Sequence, residues 1–118
     1  MQNIMKINYE KIIYRDNGEC QYIDCDVSLS NQTYSNKIEI AHKIIKGTTS
    51  YNAIAKYVWN KYKITILKKE MVAIIQDDDN LICACKNHNQ FFTIHPGSRP
   101  IEFNEHLDRL LKKHGIIK

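Results

Sequence analysis

A chain of 118 residues, 43% hydrophobic and 25% charged, has the composition of one globular domain and not of a disordered protein. No apolar run approaches the roughly 20 residues of a membrane helix, and residues 1–6 lack a signal-peptide core, so the expectation is a cytoplasmic protein without membrane contact. A net charge of +4 and a pI near 8.8 lean towards polyanionic partners.

In chain order, the Ile- and Tyr-rich residues 4–14, the turn Asp16-Asn17-Gly18-Glu19 and the alternating residues 20–29 predict an N-terminal β-hairpin. Asp24 and Asp26 share a face of that hairpin and read as exposed acids, since no nucleophile or phosphate loop accompanies them. Polar residues 30–36 connect to a helix over 37–46, with Ile38, Ala41, Ile44 and Ile45 as its stripe and Gly47 as its stop. Ser50 caps a second helix over 51–62, in which Ile54, Val58 and Tyr62 recur every four residues. A tight turn at 63–65 leads into a third helix over 66–78 that buries Leu67, Met71, Ile74 and Ile75. Ile44, Ile54, Val58, Met71 and Ile74 are expected to share one core, and Tyr51, Tyr57 and Trp59 to pack on it. Runs 81–85 and 90–95 flank the polar tip Lys86-Asn87-His88-Asn89 and predict a second hairpin. Pro96-Gly97-Ser98-Arg99-Pro100 breaks the chain, and Asn104 caps a last helix over 105–114 with Phe103, Leu107, Leu110 and Leu111 as its apolar stripe. The basic end of that helix, with Arg109, Lys112 and Lys113, suits its macrodipole.

Helix, helix, tight turn, helix and hairpin over residues 35–96 resemble a winged helix-turn-helix. The expected fold class is therefore α+β in a single domain, 1–118. It comprises an N-terminal β-hairpin (1–31), the winged unit (35–96) and a C-terminal amphipathic helix (101–116). In size and order the chain is also similar to small DNA-binding accessory proteins of AT-rich plasmids, phages and large DNA viruses, including those that serve conjugation. The resemblance implies a regulator or transfer accessory that binds double-stranded DNA as a homodimer, beside a protein partner on the same DNA, with no catalysis. Its DNA contacts would be Thr65, Lys68, Lys69, Val72, Ala73 and Gln76 on the third helix and Lys86, Asn87, His88 and Asn89 on the wing. The competing class is a protein-interaction module, such as a phage- or plasmid-encoded inhibitor. A small histidine-dependent nuclease ranks third, because His42, His88, His95, His106 and His114 are scattered and no catalytic motif orders them.

Four cysteines stand as Cys20-x4-Cys25 and Cys83-x-Cys85. Two residues apart in a strand, Cys83 and Cys85 face one side, which reads as reduced, unligated core thiols. A zinc site would instead combine Cys20 and Cys25 with Cys83, Cys85 and His88. The expectation is no metal, no cofactor and no catalytic residue.

Overall fold

The computed structural model describes residues 2–95, 98 and 101–118, with side chains from residue 9. The chain is α+β: α1 (Gln2–Arg15), β1 (Ile38–His42), α2 (Thr48–Tyr62), α3 (Lys68–Ile75), a 3-10 turn (Asp78–Asn80), β2 (Leu81–Cys85), α4 (Lys86–Ile94) and α5 (Phe103–Lys113). It divides into two compact units, residues 1–43 with 81–99 and residues 44–80 with 100–118. Among the described residues no helix is long and apolar enough to cross a membrane.

In the first unit β1 and β2 pair antiparallel, from Ile38 opposite Cys85 to His42 opposite Leu81. Every residue of β2 is buried, so the strand is covered on both faces. Leu81 and Cys83 pack with Ile12 of α1, whereas Ile82 and Ala84 pack with Tyr22 and with Phe92 of α4. The edge of β2 away from β1 is covered too. Asp16 Oδ2 accepts the Cys83 backbone N–H at 2.9 Å, and the Cys83 carbonyl accepts the Gln21 N–H at 3.0 Å. Arg15 bonds both the Asp16 carboxylate and the Leu81 carbonyl. A strand edge filled in this way offers no template to another chain.

In the second unit α2, α3 and α5 enclose one core: Ile44, Ile54, Val58, Ile66, Met71, Ile74, Ile75, Leu107, Leu110 and Leu111. All five residues expected to share a core are in it. At its edge lies Asn80, wholly buried. Its Nδ2 donates to the carbonyls of Ile44 (3.0 Å) and Ile75 (2.9 Å), while its Oδ1 accepts from the Ile44 N–H (2.8 Å) and meets His106 Nε2 at 3.0 Å. An oxygen acceptor there requires His106 to carry its proton on Nε2. Every hydrogen-bonding site of the amide is thus used, and the backbone is clasped at both ends of the excursion between the strands. The surface of the unit is stitched by two aspartates. Burial acts to raise the Asp77 carboxyl, but Lys113, the Asp79 backbone N–H and His114 outweigh it and hold the group below its usual range. At Asp108 burial is likewise outweighed, by Lys61, Tyr62 and Tyr57. Depressed carboxyl values add stability above the unfolded carboxylate range and lose it as pH falls through the folded value.

Four expected elements take another form. The N-terminal hairpin is α1 followed by a loop. Asn17 (φ 57°) and Gly18 (φ 63°) do adopt left-handed backbone, but they close a helix, with the Gly18 N–H bonded to the Ile13 carbonyl at 2.8 Å. A Cβ on Gly18 would also meet Leu29 Cδ1 at 2.7 Å. Residues 37–46 hold β1 in place of a helix, since Ile38 and Ile40 alternate into a partner strand far along the chain. The wing is replaced by β2 and α4, with Lys86-Asn87-His88-Asn89 as the first turn of that helix. The third helix stops at Ile75, ahead of the 3-10 turn. Smaller departures concern α2, capped by Gly47 and not by Ser50, and α5, which starts at Phe103 with Glu102 as its cap and not Asn104. Trp59 and Leu67, expected to pack, are 52% and 51% exposed. Of the Pro/Gly break, Pro96, Gly97, Arg99 and Pro100 lie outside the described residues.

Asn80→Asp keeps the shape but cannot donate to the Ile44 and Ile75 carbonyls, and it buries a charge. Urea unfolding is expected to show a loss of at least about 3 kcal/mol, whereas a change within about 0.5 kcal/mol would show that the clasp contributes little.

Candidate metal centre

The loop after α1 and the start of α4 bring Cys20, Cys25, Cys85 and His88 together, with one ligand atom of each within 4.8 Å of all the others. Cys20 and Cys25 flank a tight turn. The Cys25 N–H bonds the Tyr22 carbonyl at 3.2 Å, Asp24 is left-handed at φ 61°, and the Cys20 N–H returns to the Val27 carbonyl at 2.9 Å. Cys85 ends β2 and caps α4, its sulfur accepting the His88 backbone N–H at 3.5 Å. In a helix first turn, residues three apart project on one side, so Cys85 and His88 converge.

Distances decide what the cluster suits. Zinc–sulfur and zinc–nitrogen bonds of about 2.3 and 2.0 Å in a tetrahedron separate two sulfurs by about 3.8 Å, and a sulfur from a nitrogen by about 3.5 Å. Cys25 Sγ and Cys85 Sγ stand 3.9 Å apart, and His88 Nδ1 lies 3.2 Å from Cys85 Sγ and 3.6 Å from Cys20 Sγ. At 3.9 Å the sulfurs are also far from the roughly 2.05 Å of a disulfide. Burial pushes the Cys25 thiol up to about 11; the Val27 N–H opposes this, and the neighbouring thiols of Cys20 and Cys85 push the same way as burial. Neutral thiols can share that space, whereas three thiolates would need a cation among them, which a bound metal ion would supply. The N-terminal end of α4 adds favourable helix-dipole potential at Cys85.

A Cys3His set is soft and tetrahedral, which selects zinc over magnesium or calcium. All four positions come from the protein, so the centre has the closed form of a structural site. Tyr22 and Phe92 wall it, with ring centroids 5.4 and 6.1 Å from that of His88.

The sequence reading named Cys20, Cys25, Cys85 and His88 among potential ligands but favoured unligated thiols. Geometry separates the pair read together. Cys83 is buried away from the cluster, its Sγ 3.9 Å from the Ile12 carbonyl and its thiol pushed up to about 11 by burial. His88, read as a DNA contact on a wing tip, faces the sulfurs. Of the other expected contacts, Thr65, Lys68, Lys69, Val72 and Ala73 are exposed in the second unit and Gln76 is half-buried. Lys86, Asn87 and Asn89 belong to the first unit, on α4. Two polar pairs went unread. Asn89 Nδ2 donates to Glu39 Oε1 at 2.9 Å, joining α4 to β1, and the Asn87 N–H bonds Asn36 Oδ1 at 2.9 Å. Neither pair had a local signal, since partners 50 and 51 residues apart meet only through the fold.

No protein-family model matches the chain, and neither a curated protein nor a solved structure does.

Cys85→Ser and Cys83→Ser test the assignment as a pair. The parent should carry one zinc per chain by elemental analysis, and purified Cys85→Ser should lose it and melt well below the parent. Cys83→Ser should keep one zinc per chain. Equal zinc content in both variants would contradict the ligand set.

Proposed function

We propose that this protein binds duplex DNA and cuts its phosphodiester backbone, with the zinc-fixed strand pair and α4 as the cutting module. The observation that carries this reading is the Glu39–Asn89 pair. Asn89 follows the zinc ligand His88, so the ion that fixes the helix start also fixes this amide. In this pair the amide nitrogen faces the carboxylate; with the amide turned over, the Glu39 carboxylate and the Asn89 oxygen would be hard donors, of which a magnesium ion takes one or two while keeping places for water and phosphate. Half-buried His42 ends the strand that carries Glu39. In this reading Glu39 and Asn89 would hold a divalent cation that supplies positive charge for the phosphate, and His42 would take a proton from the water that attacks phosphorus as the ester P–O bond breaks, the leaving oxygen taking its proton from solvent. The zinc itself, closed by four protein ligands, stays out of the chemistry. The surplus of lysines supports the polyanionic substrate.

A second reading keeps DNA binding without cleavage. It is favoured by the exposed face of α3, where Lys68, Lys69, Val72 and Ala73 face out while Met71, Ile74 and Ile75 are buried, with exposed Thr65 in the connection before the helix. Here α2 and α3 act as a helix-turn-helix without a wing, in a homodimeric accessory protein of a mobile element. A plasmid-nicking assay in magnesium or manganese separates the readings. The parent should nick, and His42→Ala and Glu39→Gln should each lower the rate about a hundredfold or more while duplex binding persists. Tight, salt-sensitive duplex binding by a parent that cuts in no divalent cation would leave only the second reading.

A further inference from the structure

We infer that the outer face of α2 is a docking surface for an unpaired nucleic-acid strand, with Trp59 as the platform on which a base stacks. The inference rests on the DNA reading above and deepens it by naming an unpaired strand, as in locally opened DNA, as the ligand of this face. Asn52, Lys56, Trp59, Asn60 and Lys63 recur at helical spacing, and all are exposed. The opposite side of the helix carries Ile54 and Val58 into the core, so the exposed side is the one left over from folding. That leftover side holds two lysines, two amides and an indole, and no acid.

Charge along the chain points the same way. Residues 43–69 contain seven lysines and no aspartate or glutamate, while the rest of the chain sets ten basic residues against thirteen acidic ones. The net positive charge therefore comes from the stretch centred on α2. Lys61 is the exception on this helix: its ammonium is engaged by Asp108 and Tyr57 at 2.9 and 3.0 Å, facing α5. Lys56 and Lys63 lie two helical turns apart, about 10 Å, with Trp59 between them. A strand along the helix would thus meet charge, ring and charge.

Trp59 is 52% exposed, and Lys63 Nζ hovers 5.7 Å from its ring centroid. The helix cap holds them together: Lys63 is left-handed at φ 56°, and its N–H bonds the Trp59 carbonyl at 3.0 Å. Glycine or asparagine adopts that backbone more cheaply than lysine. An indole face next to a cation is the pairing that single-strand binders use, since every base presents a π-face and every nucleotide a phosphate.

Trp59 is the only tryptophan, so intrinsic fluorescence reads this face directly. The full chain is titrated with a single-stranded oligodeoxynucleotide of about 12 residues without divalent cation, and labelled-oligonucleotide anisotropy reports saturation. Tryptophan emission should be quenched as binding saturates, far more than by a blunt duplex of the same length. Trp59→Leu should weaken single-strand binding about five- to hundredfold. Lys56→Glu with Lys63→Glu should weaken it at least tenfold and flatten its salt dependence, with the parent's melting temperature retained. No single-strand binding, unchanged emission at saturation, equal quenching by duplex, or full affinity in the charge-reversed variant would overturn the inference. Because this measurement involves no cleavage, a failure of the His42 chemistry leaves its outcome untouched.

Discussion

Three thiol sulfurs and an imidazole nitrogen lie within 4.8 Å of one another, close enough to share one metal ion. Desolvation penalises each thiolate, and like charges penalise one another. A divalent cation reverses both terms, and its binding energy becomes folding energy for whatever the ligands hold. Here they hold a great deal. Cys20 and Cys25 anchor a loop in which only isolated bridges, such as Glu19 with Ser28, stand in for regular structure. Cys85 and His88 fix the joint between β2 and α4, a helix with no buried residue of its own. Beside the centre, Phe92 in the apolar cluster and the Asn89–Glu39 pair hold that helix against the strands.

The second unit solves its stability problem by other means. Its apolar core is made by three amphipathic helices, and the long excursion from β1 to β2 is closed by one saturated amide. Asn80 satisfies four hydrogen-bonding sites in a place where each unsatisfied one would cost about 1–3 kcal/mol. Its neighbour in that network, His106, extends the clasp to α5. Around the outside, Asp77 and Asp108 tie α5 to the 3-10 turn and to α2, leaving the outer faces of α2 and α3 free of structural duty.

What the sequence revealed follows from the range of the forces involved. The helices α2, α3 and α5, and the shared burial of Ile44, Ile54, Val58, Met71 and Ile74, rest on local periodicity and were legible. Strand β1 was not, because Ile38, Ala41, Ile44 and Ile45 also satisfy a helical stripe, and only the distant β2 decides the contest. In α1, the turn chemistry of Asn17 and Gly18 was read correctly but given to the wrong element, since left-handed backbone serves a helix end as well as a hairpin. Helix α4 lacks an apolar stripe, so its run of polar residues looked like a loop tip. That misreading hid the cluster: with 81–89 taken as strand and turn, Cys83 and Cys85 became partners, whereas the helix start pairs Cys85 with His88. The contact between Glu39 and Asn89 had no sequence signature at all.

Cobalt(II) substitution tests the metal centre most directly. The chain, stripped of metal under reducing conditions and titrated with cobalt(II), should bind one equivalent and develop the strong visible absorption of tetrahedral thiolate coordination. Zinc should bleach it completely, and helical content should rise as the ion binds. A fully folded metal-free chain that develops no such absorption would contradict the claim that a Cys3His centre builds this unit.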